Sequence, residues 1–226
     1  MRRKDKLVNG EVYHVFNKSI AGYTIFNNDV EYLRMQNLLL YYQIKDTTRS
    51  FTQFIEANKI EHDDFSYEFS PFFKKGKKII QLICYCIMPT HIHIGLKQLQ
   101  DDGISIFMGN VLNSYSRYFN IKHKRKGPLW QGRFRNALIA NDEQLLHLTR
   151  YIHLNPVTAY LVDRPEQWFF SSYEEFTNNT EKLNKLCRYE DILDIHSKEY
   201  KKFVEGAISY QRELAQSKHL LFDDEG

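Results

Sequence analysis

The sequence predicts an α+β fold in which an antiparallel sheet carries helices mainly on one face, followed by a helical extension at the C-terminus. Three observations predict it. Apolar residues recur at two-residue and at three-to-four-residue spacing in separate blocks, in the order strand, helix, strand, strand, helix, strand, helix. The two middle strands are joined only by Pro89 and Thr90, too short a link for a crossover, so they are expected to lie side by side and antiparallel. Beyond Tyr173 the chain turns polar and helical in character.

The first strand is expected over residues 11–18, EVYHVFNK, where Val12, His14 and Phe16 oppose Tyr13, Val15 and Asn17. A helix follows over residues 28–44, with Val30, Leu33 and Leu40 at helical spacing and Asp29 and Glu31 near its positive end. Residues 45–78 read as an insertion loop or hairpin: residues 51–58 can form a helical turn, and the Phe-rich SYEFSPFFKKGKK is broken by Pro71 and Gly76. The strands IIQLICYCIM and HIHIGLKQ come next.

A second helix is expected over residues 104–122, with Met108, Leu112, Tyr115 and Phe119 in one stripe and Gly127-Pro128 beyond its end. Residues 133–140 read as the last strand. The last core helix, capped by Asn141 or Asp142, is expected to run through residues 144–154 and stop near Pro156. This order of elements suits a ferredoxin-like sandwich. The main domain is placed at residues 1–176 and a helical extension at 177–226, with Phe203, Ile208 and Tyr210 on an accessory helix and a disordered LFDDEG at the end.

A chain of 226 residues with 42% hydrophobic and 15% aromatic content can bury one substantial core. Cys84, Cys86 and Cys187 are its three cysteines, and Cys84 and Cys86 share one face of an apolar strand; this suits free thiols in a reducing cytoplasm. No apolar run is long enough to span a bilayer, and no hydrophobic segment follows the basic N-terminus, so a cytoplasmic protein without a membrane partner is expected. The net charge of +3 says little by itself. Its distribution says more: Arg117, Lys122, Lys124, Arg125, Lys126, Arg133 and Arg135 crowd one stretch that holds no carboxylate, and such a block attracts polyanions.

His91 and His93 project from the same side of their strand while Ile92 points to the opposite layer, and neutral imidazoles so placed can donate lone pairs to one divalent ion. An H-x-H pair facing solvent would satisfy the same spacing. In EQLLHLTRYIHLNP, Leu145, Leu148 and Ile152 form the apolar face, and Gln144, His147, Tyr151 and Asn155 form a neighbouring polar stripe. Tyr151 and Asn155 therefore can serve one site. A tyrosine activated by a metal and by cationic neighbours can attack a phosphodiester, storing the energy of the broken bond in a phosphotyrosine. Tyr115 and Tyr118 compete for this role, but Tyr115 lies on the apolar stripe.

Several motifs together resemble a known family. CYCIMPTHIHIGL is similar to the HUH motif of single-tyrosine transposases, U being a bulky hydrophobic residue. GEVYHVFNKS, GPLWQGRFRNALI, LTRYIHLNPVTAYLV and WFFSSY resemble the corresponding segments of REP-associated tyrosine transposases, in the same order over residues 10–173. The resemblance implies an HUH nuclease fold, magnesium or manganese as cofactor, and single-stranded DNA bearing hairpins as substrate and partner. It aligns His91 and His93 with the metal-binding histidines and Tyr151 with the nucleophile. Asn155 stands where the insertion-sequence relatives carry a glutamine ligand, and Thr90 replaces the common asparagine before the first histidine. The expected activity is DNA transposition through cleavage and rejoining of single strands by a covalent 5'-phosphotyrosine.

Arg117, Lys122, Lys124, Arg125, Lys126, Gln131, Arg133 and Arg135 are the candidate DNA-binding residues, beside Tyr118 and Trp130 on which unpaired bases can stack. Trp130 also reads as a core residue. A homodimer is the candidate assembly. Two other functions fit the same residues: a domesticated protein that recognises palindromic repeats without mobilising them, and a metal-dependent hydrolase or RNA-binding module.

Overall fold

The computed structural model describes residues 6–45, 49–60, 76–178 and 185–222, with side chains of the final helix described as far as residue 215. Most of the expected insertion, including SYEFSPFFKK, lies outside the described residues, as do positions 223–226 of the expected disordered end.

Four strands form one antiparallel sheet: β1 (Val12–Lys18), β2 (Ile80–Met88), β3 (His91–Gln98) and β4 (Arg135–Ile139), in the spatial order β2-β3-β1-β4. The turn Pro89-Thr90 pairs β2 with β3 as expected. β1 then enters beside β3, with Phe16 opposite His93 and Lys18 opposite His91. Directly opposed residues share a face of the sheet, so His14, Phe16, Lys18, His91, His93 and Arg135 all belong to one side.

On the other side lie Tyr13, Val15, Tyr85, Ile92 and Ile94, all buried. Helices α1 (Asp29–Tyr41) and α3 (Gly103–Lys122) cover that side. Asn28 caps α1 by accepting a hydrogen bond from the Glu31 amide at 3.3 Å. The stripe expected on α3 is buried at Met108, Leu112, Tyr115 and Phe119. α3 has no side-chain cap from Asp102, whose backbone is left-handed at φ 57; the Gln98 side chain accepts from the Ile104 amide instead, at 3.2 Å. The short helix α2 (Phe51–Asn58) begins in a capping box made by Ser50 and Gln53.

The histidine side of the sheet is covered by α4 (Asp142–Thr158). Asn141 caps it, accepting from the Gln144 amide at 2.9 Å, and Gln144 reaches back to the Ala140 amide at 2.9 Å. Unlike the expected stop near Pro156, the helix continues to Thr158. Pro156 forfeits one amide donor near the helix end, while its ring and Val157 are buried against the core, and burial outweighs the local breaker.

The segment after α4 completes the free edge of β2. The Ile87 amide donates to the Phe170 carbonyl at 2.9 Å, the Ser172 amide to the Tyr85 carbonyl at 3.0 Å, and the Arg188 amide to the Leu82 carbonyl at 2.8 Å. These bonds occupy backbone groups that would otherwise recruit another strand. WFFSSY is thus a strand-edge cover, followed by the short helix α5 (Tyr173–Thr177). Among its described residues the extension forms two helices, α6 (Ser197–Glu205) and α7 (Ile208–Phe222), and the final apolar pair Leu221-Phe222 still belongs to α7 where disorder was expected. Tyr210 is exposed, whereas Tyr200 is buried and shares a 2.6 Å hydrogen bond with Nδ1 of His153, whose Nε2 meets Ser172 Oγ at 2.8 Å. This buried chain ties α6 to α4 and to the β2 edge, with all three partners satisfied.

Candidate active site

The site lies where the helix α4 crosses the histidine side of the sheet. β3 sets His91 and His93 on that side, 5.0 Å apart between ring centroids and nearly perpendicular at 89°. Two imidazoles bound through nitrogens about 2.1 Å from one shared ion would have centroids roughly 5 Å apart, so the spacing fits such a pair. Burial holds both rings in the neutral form that can donate a lone pair. His91 is lowered from 6.5 to about 4 by burial and then by Lys18, and His93 is pushed well below 6.5 by burial, then by His14, His91 and Lys18.

The hydrogen bonds select which nitrogen each ring offers. Thr90 Oγ1 meets His91 Nδ1 at 2.9 Å, and His14 Nε2 meets His93 Nδ1 at 3.0 Å. In both rings Nδ1 is engaged, so with the proton on Nδ1 the nitrogen left to offer a lone pair is Nε2. Thr90, at the position of the family's common asparagine, therefore has a polar contact with the first histidine.

Tyr151 comes from α4. Its ring stands edge-on to His93, with centroids 5.6 Å apart, and edge-on to His14 at 6.0 Å. The three residues His91, His93 and Tyr151, expected from sequence to share one cleft, are thus brought together. Tyr151 is 41% exposed, so it is open to solvent. Burial of the ring raises the phenol above its usual value of 10, and a side-chain hydrogen bond from Asn155 opposes this. Unaided, this hydroxyl is protonated at neutral pH.

Asn155 lies one turn along α4, and its Nδ2 donates to the Tyr151 carbonyl at 2.9 Å. That bond orients the amide and leaves its Oδ1 as an acceptor. Among the described residues no group of three or more His, Cys, Asp or Glu is placed to hold a metal ion. The donors brought together on the sheet are two imidazoles, and the Asn155 amide bonds the backbone of its own helix one turn from Tyr151. Two neutral imidazoles so placed suit a divalent ion.

The basic block divides once folded. Lys122 is paired with buried Glu31 at 3.1 Å and bonds Tyr118 Oη at 3.2 Å, and Arg125 ties down its own turn by donating to the Pro128 carbonyl at 2.8 Å. Arg117, Lys124, Lys126, Gln131, Arg133 and Arg135 are exposed. Arg135 lies on the histidine side, opposite Phe16, and the Gln131 amide donates to the Lys18 carbonyl at 2.9 Å. The competing tyrosines stand apart: Tyr115 is buried and donates to the Ile25 carbonyl at 2.5 Å, and Tyr118 belongs to the Lys122 cluster. Trp130 is half-buried, with its indole N–H on the Leu112 carbonyl at 3.1 Å.

Three neighbours of the histidines are not singled out by the sequence pattern: His14, Phe16 and Lys18. Phe16 stacks on His93 with centroids 5.8 Å apart. The alternation in EVYHVFNK does put His14 and Phe16 on one face, but only the pairing of β1 with β3 makes it the site's face.

Comparison with known proteins finds relatives in sequence and in fold. The family model described as "Transposase IS200 like" matches residues 58–155, a span that contains His91, His93, Tyr151 and Asn155. A Haemophilus influenzae protein named for the REP-associated tyrosine transposases is 31% identical over 104 residues, which cover 41% of this chain and 58% of that protein. The chain thus spans little more than half the length of this relative. Among solved structures, a REP-associated tyrosine transposase bound to a REP hairpin superposes with a TM-score of 0.51 at 15% identity, covering 87% of this chain and 96% of its own. The likeness establishes the common fold.

Proposed function

Starting from a chain related in sequence to the REP-associated tyrosine transposases and folded like one, we propose that it is a transposase that cuts and rejoins single-stranded, hairpin-bearing DNA. The observation that carries this reading is the edge-on approach of Tyr151 to His93 at 5.6 Å, which sets a phenol from a helix beside a pair of imidazoles from the sheet.

His91 and His93, through Nε2, and Asn155, through Oδ1, would hold a magnesium or manganese ion. When bound, it would polarise the scissile phosphate and favour the phenolate. The Tyr151 oxygen attacks phosphorus, the phenol proton is lost to solvent, and the bond to the 3' oxygen breaks. That oxygen takes up a proton and leaves as a 3'-hydroxyl, while the 5' phosphate stays on Tyr151. A 3'-hydroxyl then attacks the phosphotyrosine, forming a new phosphodiester and returning the phenol, so no nucleotide is consumed. Lys18 and Arg135 on the histidine side, with exposed Arg133 two residues before Arg135, would hold the strand by its phosphates.

Incubating the purified protein with labelled hairpin-containing single-stranded DNA and manganese, followed by denaturing electrophoresis, tests this. A covalent protein–DNA product is expected from the wild type and none from Tyr151→Phe. Retention of the adduct by that variant, with loss in Tyr115→Phe or Tyr118→Phe, overturns the assignment.

A further inference from the structure

We propose that His14 is a positioning residue that accepts a hydrogen bond from Nδ1–H of His93 and so presents Nε2 of His93 to the metal. This inference rests on the metal-dependent reading above and assigns a part in it to a residue on a different strand.

The geometry carries it. Nε2 of His14 and Nδ1 of His93 are 3.0 Å apart, a full hydrogen bond between residues 79 positions apart in the chain. In a neutral pair one nitrogen must donate and the other accept. If His93 is to offer a lone pair at Nε2, its proton must sit on Nδ1, and His14 Nε2 must accept it. The alternative tautomer of His93 would direct a proton at the ion and a lone pair at His14.

The ring of His14 is held for this task. It lies 5.1 Å from Phe16 and 5.2 Å from His93, nearly parallel to the latter at 22°, and Tyr151 closes over it edge-on at 6.0 Å. Opposite His14 on β3 is Gly95, and on β4 Ala137. Neither neighbour carries a bulky side chain, which leaves the imidazole room to reach along β3 to His93. His14 acts on His93 as Thr90 acts on His91, whose Nδ1 it meets at 2.9 Å. Each ligand thus has its own orienting partner, a recurring property of metal-bound imidazoles.

Three variants separate hydrogen bonding from packing. His14→Phe keeps a ring but loses the acceptor, His14→Gln keeps an acceptor, and His14→Ala loses both. Manganese binding to the DNA-free full chain, followed by calorimetry, should weaken about tenfold or more in His14→Phe and His14→Ala and stay within about threefold of wild type in His14→Gln. Nitrogen-15 NMR of labelled imidazoles reads the tautomer directly, without metal. It should show His93 protonated on Nδ1 in the wild type and in His14→Gln, and as a tautomer mixture in His14→Phe.

Wild-type manganese affinity and an unchanged His93 tautomer in His14→Phe would overturn the proposal. So would pulsed electron spin resonance counting three coordinated imidazoles in the wild type, which would make His14 a ligand instead. Because His91→Ala removes a proposed ligand but leaves the His14–His93 bond, loss of manganese binding in His91→Ala alongside normal binding in His14→Phe would sink this inference and spare the metal site. Equal, unsaturable manganese titrations of wild type and His91→Ala would sink both.

Discussion

The phenol ring of Tyr151 meets the imidazole of His93 edge-on, with centroids 5.6 Å apart and planes at 84°. One ring belongs to a helix and the other to the sheet that the helix covers, so their approach depends on how α4 lies across β3. With the Tyr151 phenol raised by burial, reactivity depends on whatever lowers it again.

Adduct formation should therefore increase with pH and require metal. In the presence of manganese, the initial rate is expected to climb between pH 6 and 9, because the deprotonated fraction of Tyr151 grows in that direction. Chelation should remove the product at every pH. A rate independent of pH, or one that survives chelation, contradicts activation of this phenol by a metal.

Binding of single strands should depend unequally on the basic residues. Arg135 stands on the histidine side, whereas Arg125 is committed to the carbonyl of Pro128. Arg135→Ala is expected to lower hairpin-DNA affinity and to flatten the dependence of log affinity on log salt by about one unit, the signature of one lost phosphate contact. Lys124 and Lys126 are exposed without these ties, and their joint replacement by alanine should also flatten the slope. Gel-shift titrations at two salt concentrations measure both effects, and unchanged slopes would remove these residues from the DNA path.

Acid should unfold the protein earlier than its carboxylates alone require. His14 and His91 are lowered by burial to about 4 and His153 to about 3, against 6.5 in an open chain. Below pH 6.5 the unfolded chain takes up protons that these folded rings refuse, so their stabilisation is full above pH 6.5 and is lost as the pH falls toward 4 and 3. Glu175 works in the opposite sense: burial raises it from 4.5 to about 7, so it removes stability as the pH rises through that interval. These three histidines and His93, also held well below 6.5 by burial, outweigh one carboxyl, and stability measured by urea denaturation should rise from pH 4.5 to 6.5. His153→Gln should reduce that slope by up to about 1.4 kcal/mol per pH unit, the equivalent of one proton; an unaltered slope argues against a neutral buried His153.

Gly103 opens α3 against the backbone of Ile79. A Cβ there would lie 2.3 Å from the Ile79 carbonyl oxygen, closer than any relaxed contact, and the obstacle is main chain that cannot swing aside. Gly103→Ala is expected to cost about 1–3 kcal/mol of stability, read as a lower urea midpoint, although alanine is the better helix former. Gly109, where a Cβ meets nothing within 4 Å, supplies the control. There the alanine variant should be neutral or stabilising.

Much of this was legible in the sequence because it depends on near neighbours. Backbone stereochemistry alternates side chains along a strand and repeats them along a helix, so His91 and His93 on one face, Tyr151 beside the apolar stripe of its helix, and the buried stripe from Met108 to Phe119 follow from spacing within a few residues. The start of the last core helix was legible for the same reason, as a cap acts within one turn; the structure chooses Asn141 over Asp142.

Tertiary structure decided the rest. His14 joins the site because β1 is laid between β3 and β4 in the register that sets Phe16 opposite His93, and neither the neighbour nor the register is encoded in the local pattern of EVYHVFNK. Lys122 is drawn to Glu31, far away in the chain, while Arg135 remains on the histidine side, a division invisible in a block of like charges. Pro156 is carried into a helix it would ordinarily end. In each case the deciding energy comes from burial or from a partner distant in the chain, and such partners exist only once the sheet has formed.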